Sequence, residues 1–433
     1  MKFGRSLGFL AALVSALCIG GLLSVAVTSK SYSESYPAVV CPPTLAGLTS
    51  QISLASKKTP FQRLQNRTTK TAPVKVLRLP VNKDSLLFSS DGVTPVVWQS
   101  RASSWAGGAV CTGPEASQWF VGGTADITTR GRLIIINSGL SDAVVDVQSF
   151  TENGKQPLRT ITVVSKNYQV IPTDSLAPGD KYLTVHVAPR SGRINAFMID
   201  EQGTGLKSLG GDLVNSVSNA SKSVMIPAIP HQVKNNSALL HTLRVLTPGD
   251  VDASVTAEVL SSDGVFVPVG LTSRTVSAGI VTEFQFTPKT SSTVLAVRIT
   301  STEPVVAAVK STVTVAGRKD FVWSTSAPEL VPLTIAISGL TPLISFVGER
   351  INVSLDVTLT NGKVVRKTVK GTDIAIWSAP DAARSFTITK VGPDTFAGAL
   401  VSSVNGYGYF PIASGSLLTK IELPDSNIRV LNP

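Results

Sequence analysis

Histidine is scarce in this sequence: His186, His231 and His241 are the only three in 433 residues. None has a second His two or four positions away. The chain therefore lacks the spacings that put two imidazoles on one metal ion, and all three read as solvated surface side chains. No Gly-x-Ser-x-Gly segment occurs, which excludes the nucleophile elbow of an α/β-hydrolase. Neither a phosphate-binding P-loop nor a dinucleotide fingerprint is present. Aromatic residues make up only 6% of the chain, thin for a sugar cleft. Trp98, Trp105, Trp119, Trp323 and Trp377 are scattered and read as core or junction anchors. Asp250 with Asp252, and Asp174 with Asp180, lie in loops, but Ca²⁺ takes about six to eight oxygens and neither place supplies them. A paired-carboxylate glycosidase stays open, because its two acids can come from anywhere in a chain. Long amphipathic helical patterns are missing too. The sequence points to no cofactor, metal or catalytic residue.

What is present begins with an export signal. Lys2 and Arg5 precede an uncharged run from Ser6 to Ser29, which Lys30 closes. That order places the N-terminus inside and the bulk of the chain outside. The run is long enough to span a bilayer as a helix, so a retained single-pass anchor in the cell membrane is expected, with secretion after signal cleavage as the alternative. Cys18 lies inside the run, where it reads as an apolar helix residue. Cys41 and Cys111 lie beyond it, in an oxidising space where an even count favours a disulfide. Two unpaired structural thiols are the other reading. A zinc site would need nearby ligands that are not there.

The net charge is +11, from 39 Lys and Arg against 28 Asp and Glu. Such a balance suits an anionic partner, and the location leaves wall polymers or lipid head groups rather than nucleic acid. Residues 42–83 contain no acid at all. Within them Lys57, Lys58, Arg63, Arg67, Lys70 and Lys75 form a possible anionic-surface contact. A solvated basic loop is the plainer reading of the same charges.

The abundance of Ser, Thr, Val and Gly favours β structure, and a recurring pattern supports it. In "AVVDVQSF", Ala143, Val145 and Val147 share one strand face, and the pair Asn153–Gly154 follows as a type I′ hairpin signal. "ASVTAEVLSSDG" repeats the alternation from Ala253 and ends at Asp263–Gly264. "INVSLDVTLTNG" repeats it from Ile351 and ends at Asn361–Gly362. A second strand pair closes each copy, with turns expected at "PRSG" and at Glu303–Pro304. The turn pairs recur roughly every hundred residues, the size of an immunoglobulin-like β-sandwich. The expected fold is all-β: tandem immunoglobulin-like sandwiches after an N-terminal signal or anchor helix. Residues 1–30 would be the signal, 31–117 a basic, Cys-bearing β region on the first sandwich, and 118–222, 223–316 and 317–433 the three sandwiches.

Several stretches also carry a resemblance. "CPP" after the export signal, "AVCTGPEASQWFVGG", "LIIINSGLSDAVVDV", "LAPGDKYLTVHV" and "SGRINAF" resemble a family of uncharacterised actinobacterial extracytoplasmic proteins catalogued as a domain of unknown function. The resemblance implies an envelope location, all-β structure and pairing of Cys41 with Cys111. It implies no activity. The function expected is a non-catalytic extracytoplasmic scaffold or binding module that meets an envelope protein or anionic wall polymer, with shallow Ser-, Thr- and aliphatic-lined grooves between domains. The alternative is an accessory that binds or processes cell-wall glycan.

Overall fold

The structure is a computed structural model that describes residues 38–416, apart from 56–57, 67, 74–76, 90–92, 206 and 235–236. The expected anchor run, and Lys57, Arg67 and Lys75 of the basic set, lie outside the described residues. Among the described residues the fold is all-β, with one short 3-10 turn at Thr173–Ser175. No helix among them is long and apolar enough to cross a membrane.

The strand Arg132–Asn137 shows how sequence sets the layers. Leu133 and Ile135 enter one core with Val145, Val147, Val185 and Met198. Ile134 and Ile136 point the other way, into a core with Trp105, Phe197, Ile199 and the two cysteines. A strand buried on both faces needs a continuous apolar run instead of alternation, and "LIII" supplies it. This strand pairs with Asn167–Pro172 and Ile194–Thr204, and Lys207–Val214 joins beyond the latter. Across the first core lies a second sheet of Gln118–Val121, Thr184–Ser191, Ala143–Thr151 and short partners. There Ala143, Val145 and Val147 are buried while Val144 and Asp146 are half-exposed, as one wet and one dry face require.

The pattern recurs about 110 residues on. Strand Ala253–Ser261 follows Ala143–Thr151, and His241–Leu246 follows Arg132–Asn137. One difference corrects the sequence reading. No turn forms at Glu303–Pro304, because Val294–Val315 is one unbroken 22-residue strand. Its first part pairs with Ser221–Pro230 and Ala253–Ser261, and its second part with His241–Leu246 and Arg318–Thr325. Pro304 has no N–H to give, and it sits where the ladder register shifts between Thr300 and Val305, the sort of place a strand tolerates proline. In the third recurrence Leu343–Leu359 pairs along its length with Val364–Ser378. Strand Leu333–Ala336 there accepts Val93–Thr94 as a parallel neighbour, tying the N-terminal segment to the last unit.

The hairpin tips also differ from expectation. Thr151 pairs with Gly154 and Ser261 with Gly264, so the turns lie one residue earlier than Asn153–Gly154 and Asp263–Gly264. Within these two tips positive φ occurs at the glycines alone, 102° at Gly154 and 123° at Gly264. These tips are not type I′ turns: a single glycine takes the left-handed position. The preceding hydroxyl secures each tip, since Thr151 Oγ1 accepts from Asn153 N and Ser261 Oγ from Asp263 N.

Candidate functional site

Cys41 and Cys111 are bonded, with their Cα atoms 4.7 Å apart. Both are fully buried, at the end of Val39–Cys41 and just past Trp105–Val110. Of the basic set, Lys58 and Lys70 are exposed and Arg63 is half-buried. Arg63 and Lys70 lie on the small ribbon in which Phe61 pairs with Lys70.

The histidines are not the solvated side chains expected. His231 Nδ1 and His241 Nε2 are 3.0 Å apart, and His241 Nδ1 lies 2.8 Å from Ser311 Oγ. Both rings are buried. Burial, with His231 alongside, holds His241 down to about 3. His241 alternates onto an apolar strand face, and its hydrogen-bond partners are ten and seventy residues away, so spacing could not reveal the pair. His186 is half-buried; it stacks on Trp119 at 4.0 Å and its Nε2 meets Ser117 Oγ at 2.9 Å. Burial lowers its pKa, so the imidazole is neutral at neutral pH. Among the described residues no carboxylate hydrogen-bonds to His186, so the Ser–His contact lacks the orienting third group of a triad.

The loop acids are fasteners. Asp252 accepts from Ala278 N at 2.8 Å, and Asp180 from Asn153 Nδ2 at 2.8 Å. Among the described residues no group of three His, Cys, Asp or Glu side chains is arranged to hold a metal ion.

Sequence reasoning missed a buried polar seam where Lys207–Val214 meets Arg318–Thr325. Asp212 accepts from the backbone N–H of Trp323 at 2.7 Å, and Asp320 accepts from that of Gly211 at 3.1 Å. Each of the two corresponding strands thus hands a carboxylate to the other's backbone. The strands approach closely because Gly210 has no side chain: a Cβ there would lie 2.6 Å from Asp320 Oδ1 and 3.1 Å from Asp320 Cα. Trp323 Nε1 donates to Asp200 at 2.8 Å. Burial pushes Asp320 up to about 7 and Asp212 well above the usual carboxylate range. Nearby, Arg244 pairs with Glu283 at 2.6 Å, donates to the carbonyls of Gly123 and Leu183, and lies over the Trp323 ring at 4.7 Å. The available signal was a charge inside an otherwise apolar strand, as in "HTLRVL".

A cavity of about 640 Å³ is lined by residues from within 109–117, 213–225, 326–333 and 411–416, Cys111 and Lys222 excepted, together with Phe120, Phe197, Met198 and Phe396. Phe120, Phe197 and Phe396 are among its walls, and serines are frequent in its lining. Small-molecule sites of about 300–1,000 Å³ have this form: mostly apolar, with a few polar groups. Ser117 and Glu115 both line it. Glu115 Oε2 accepts from Ser218 Oγ at 3.2 Å, and burial pushes the carboxyl up to about 7.

Residues 99–373, more than half of the chain, match a family described as "Family of unknown function (DUF5719)". The chain belongs to the DUF5719 family. The matched span runs from Gln99 to Asp373, so it includes Cys111, the buried carboxylate seam and much of the cavity wall, but not Cys41 or the rim at 411–416. No curated protein matches the chain.

Proposed function

We propose that this DUF5719 chain is a non-catalytic extracytoplasmic envelope protein. In this reading the N-terminal run holds it at the membrane, tandem β-sandwich units carry it outward, and the cavity where their segments meet is its binding site. The single observation that carries the reading is that cavity: four separated stretches of chain converge on one apolar void. The Ser117–His186 contact at its edge argues less for chemistry than for packing, since the ring is stacked on Trp119. The basic ribbon residues remain available to an anionic wall polymer or lipid surface.

The glycan-directed alternative has less support. No Trp, Tyr or Phe among the described residues is fully exposed, and Trp98, Trp105, Trp119 and Trp323 are buried. A sugar-binding face would present such rings.

The test combines location with chemistry. Cells expressing the full-length chain are fractionated and treated with external protease, and the purified chain is incubated with membrane and wall fractions and with a fluorophosphonate probe. The expected result is a membrane-bound, protease-accessible chain that is retained by an envelope fraction, releases no wall fragments and leaves Ser117 unlabelled. Release of glycan fragments, or labelling of Ser117 that depends on His186, would establish an enzyme instead.

A further inference from the structure

The charges on the cavity wall select a ligand. Glu115 and Glu329 are the only charged residues among the described lining, which includes no Lys, Arg or His. Glu329 is exposed and already accepts from Asp394 N at 2.9 Å, which commits it to the rim. Glu115 is half-buried beside Ser218. Much of the remaining wall is apolar, with Phe120, Phe197, Met198, Val224 and Phe396 contributing. A carboxylate against an apolar void with no fixed cation is poorly solvated, and a ligand of opposite charge relieves that.

We propose that the cavity binds a small cationic amphiphile, an ammonium group on an apolar body, with the ammonium paired to Glu115 beside Ser218 and the body against the phenylalanines. This inference rests on the binding reading above and narrows it to one sign of charge. An anionic ligand would meet two carboxylates and no cation. A purely apolar ligand would leave Glu115 unpartnered by charge.

The carboxyl gives the site a pH signature. In the empty cavity burial lifts Glu115 to about 7, so at neutral pH the group is only partly ionised. A bound cation favours the carboxylate and expels the proton. Affinity therefore falls as pH drops below that value, by up to about tenfold per pH unit. An alkylammonium stays charged across this range, so the slope reports the protein.

The probes are phenylbutylamine, phenylbutanol and phenylbutyrate, which share one apolar body. Binding of each to the purified full-length chain is measured by titration calorimetry between about pH 5 and pH 8, spanning the carboxyl's ionisation. At the upper end the amine should bind about tenfold or more tighter than the alcohol, the range of a hydrogen bond to a charged group. The advantage should fade toward the lower end. Glu115→Gln should abolish it, so that amine and alcohol bind the variant equally at every pH. Equal binding of amine and alcohol by wild type at every pH would overturn the charge assignment and leave the cavity as a binding site. Preference for the carboxylate probe would do the same. Binding of none of the three would overturn the binding reading as well. Should Glu115→Gln fail to fold, the wild-type pH profile alone decides.

Discussion

Replacing Asp320 by Asn should stabilise the protein at alkaline pH and not at acid pH. Asp320 is buried, with Oδ1 accepting from Gly211 N at 3.1 Å and Phe321 N at 2.9 Å. Its Oδ2 is buried, with no hydrogen-bond partner among the described residues. An asparagine keeps the Oδ1 acceptor and cannot ionise. The folded carboxyl titrates at about 7 against an ordinary value of 3.8. A raised carboxyl binds its proton more tightly in the folded state than in the unfolded one. Its contribution is therefore fully present below about pH 4 and is lost as pH rises through about 7. At about 1.4 kcal/mol per unit the whole shift corresponds to a ceiling of about 4 kcal/mol. Asp212, raised partly by the charge of Asp320, gains when that charge is removed. Urea unfolding of wild type and Asp320→Asn, followed from about pH 4 to pH 8, reads the difference. The variant should be within about 1 kcal/mol of wild type at the acid end and about 2 kcal/mol or more stable than wild type at the alkaline end. A difference that is flat with pH, or a variant less stable at the alkaline end, would refute the picture of an ionisable carboxyl held neutral by burial.

Two further outcomes follow from the buried contacts. Replacing Cys41 and Cys111 by serine opens a loop with a sequence separation of 70, and chain entropy puts the loss near 4 kcal/mol; a urea midpoint unchanged by the double substitution would remove the bridge from the stability of the N-terminal segment. Arg244→Met strands Glu283 and the carbonyls of Gly123 and Leu183, a loss of about 3–5 kcal/mol for a buried pair broken on one side. Adding Glu283→Gln should restore part of that loss, and a double-mutant cycle that shows no coupling would contradict the pairing.

The all-β class and the disulfide were legible because each rests on local or countable signals. Alternation at Ala143, Val145 and Val147 survives any topology, and two cysteines beyond the N-terminal apolar run have few partners to choose from. The hairpin positions were legible to within one residue, but the turn type was not: glycine alone takes positive φ there, and Asn153 is not required to. Pro304 was read as a turn because proline usually punctuates strands. Here it falls at a register shift inside one long strand, a fact set by tertiary pairing. The paired His231 and His241, the reciprocal carboxylates Asp212 and Asp320, and the cavity around Glu115 share one reason for having been missed. Each joins residues from different recurrences or different layers, and periodicity within a strand carries no record of which strand will lie opposite. The charge in "HTLRVL" was visible, but only the fold shows that both of its faces are covered.

The central claim, that this chain binds a small molecule in its cavity, is tested most directly by native mass spectrometry of the full-length chain purified from its own cells. It is compared with Ser216→Trp, which places an indole from a half-buried lining position into the void. Far-ultraviolet circular dichroism should show that both are folded. The account predicts a discrete small-molecule adduct on the wild type that is absent from Ser216→Trp. An adduct carried equally by both proteins, or none on either, would contradict it.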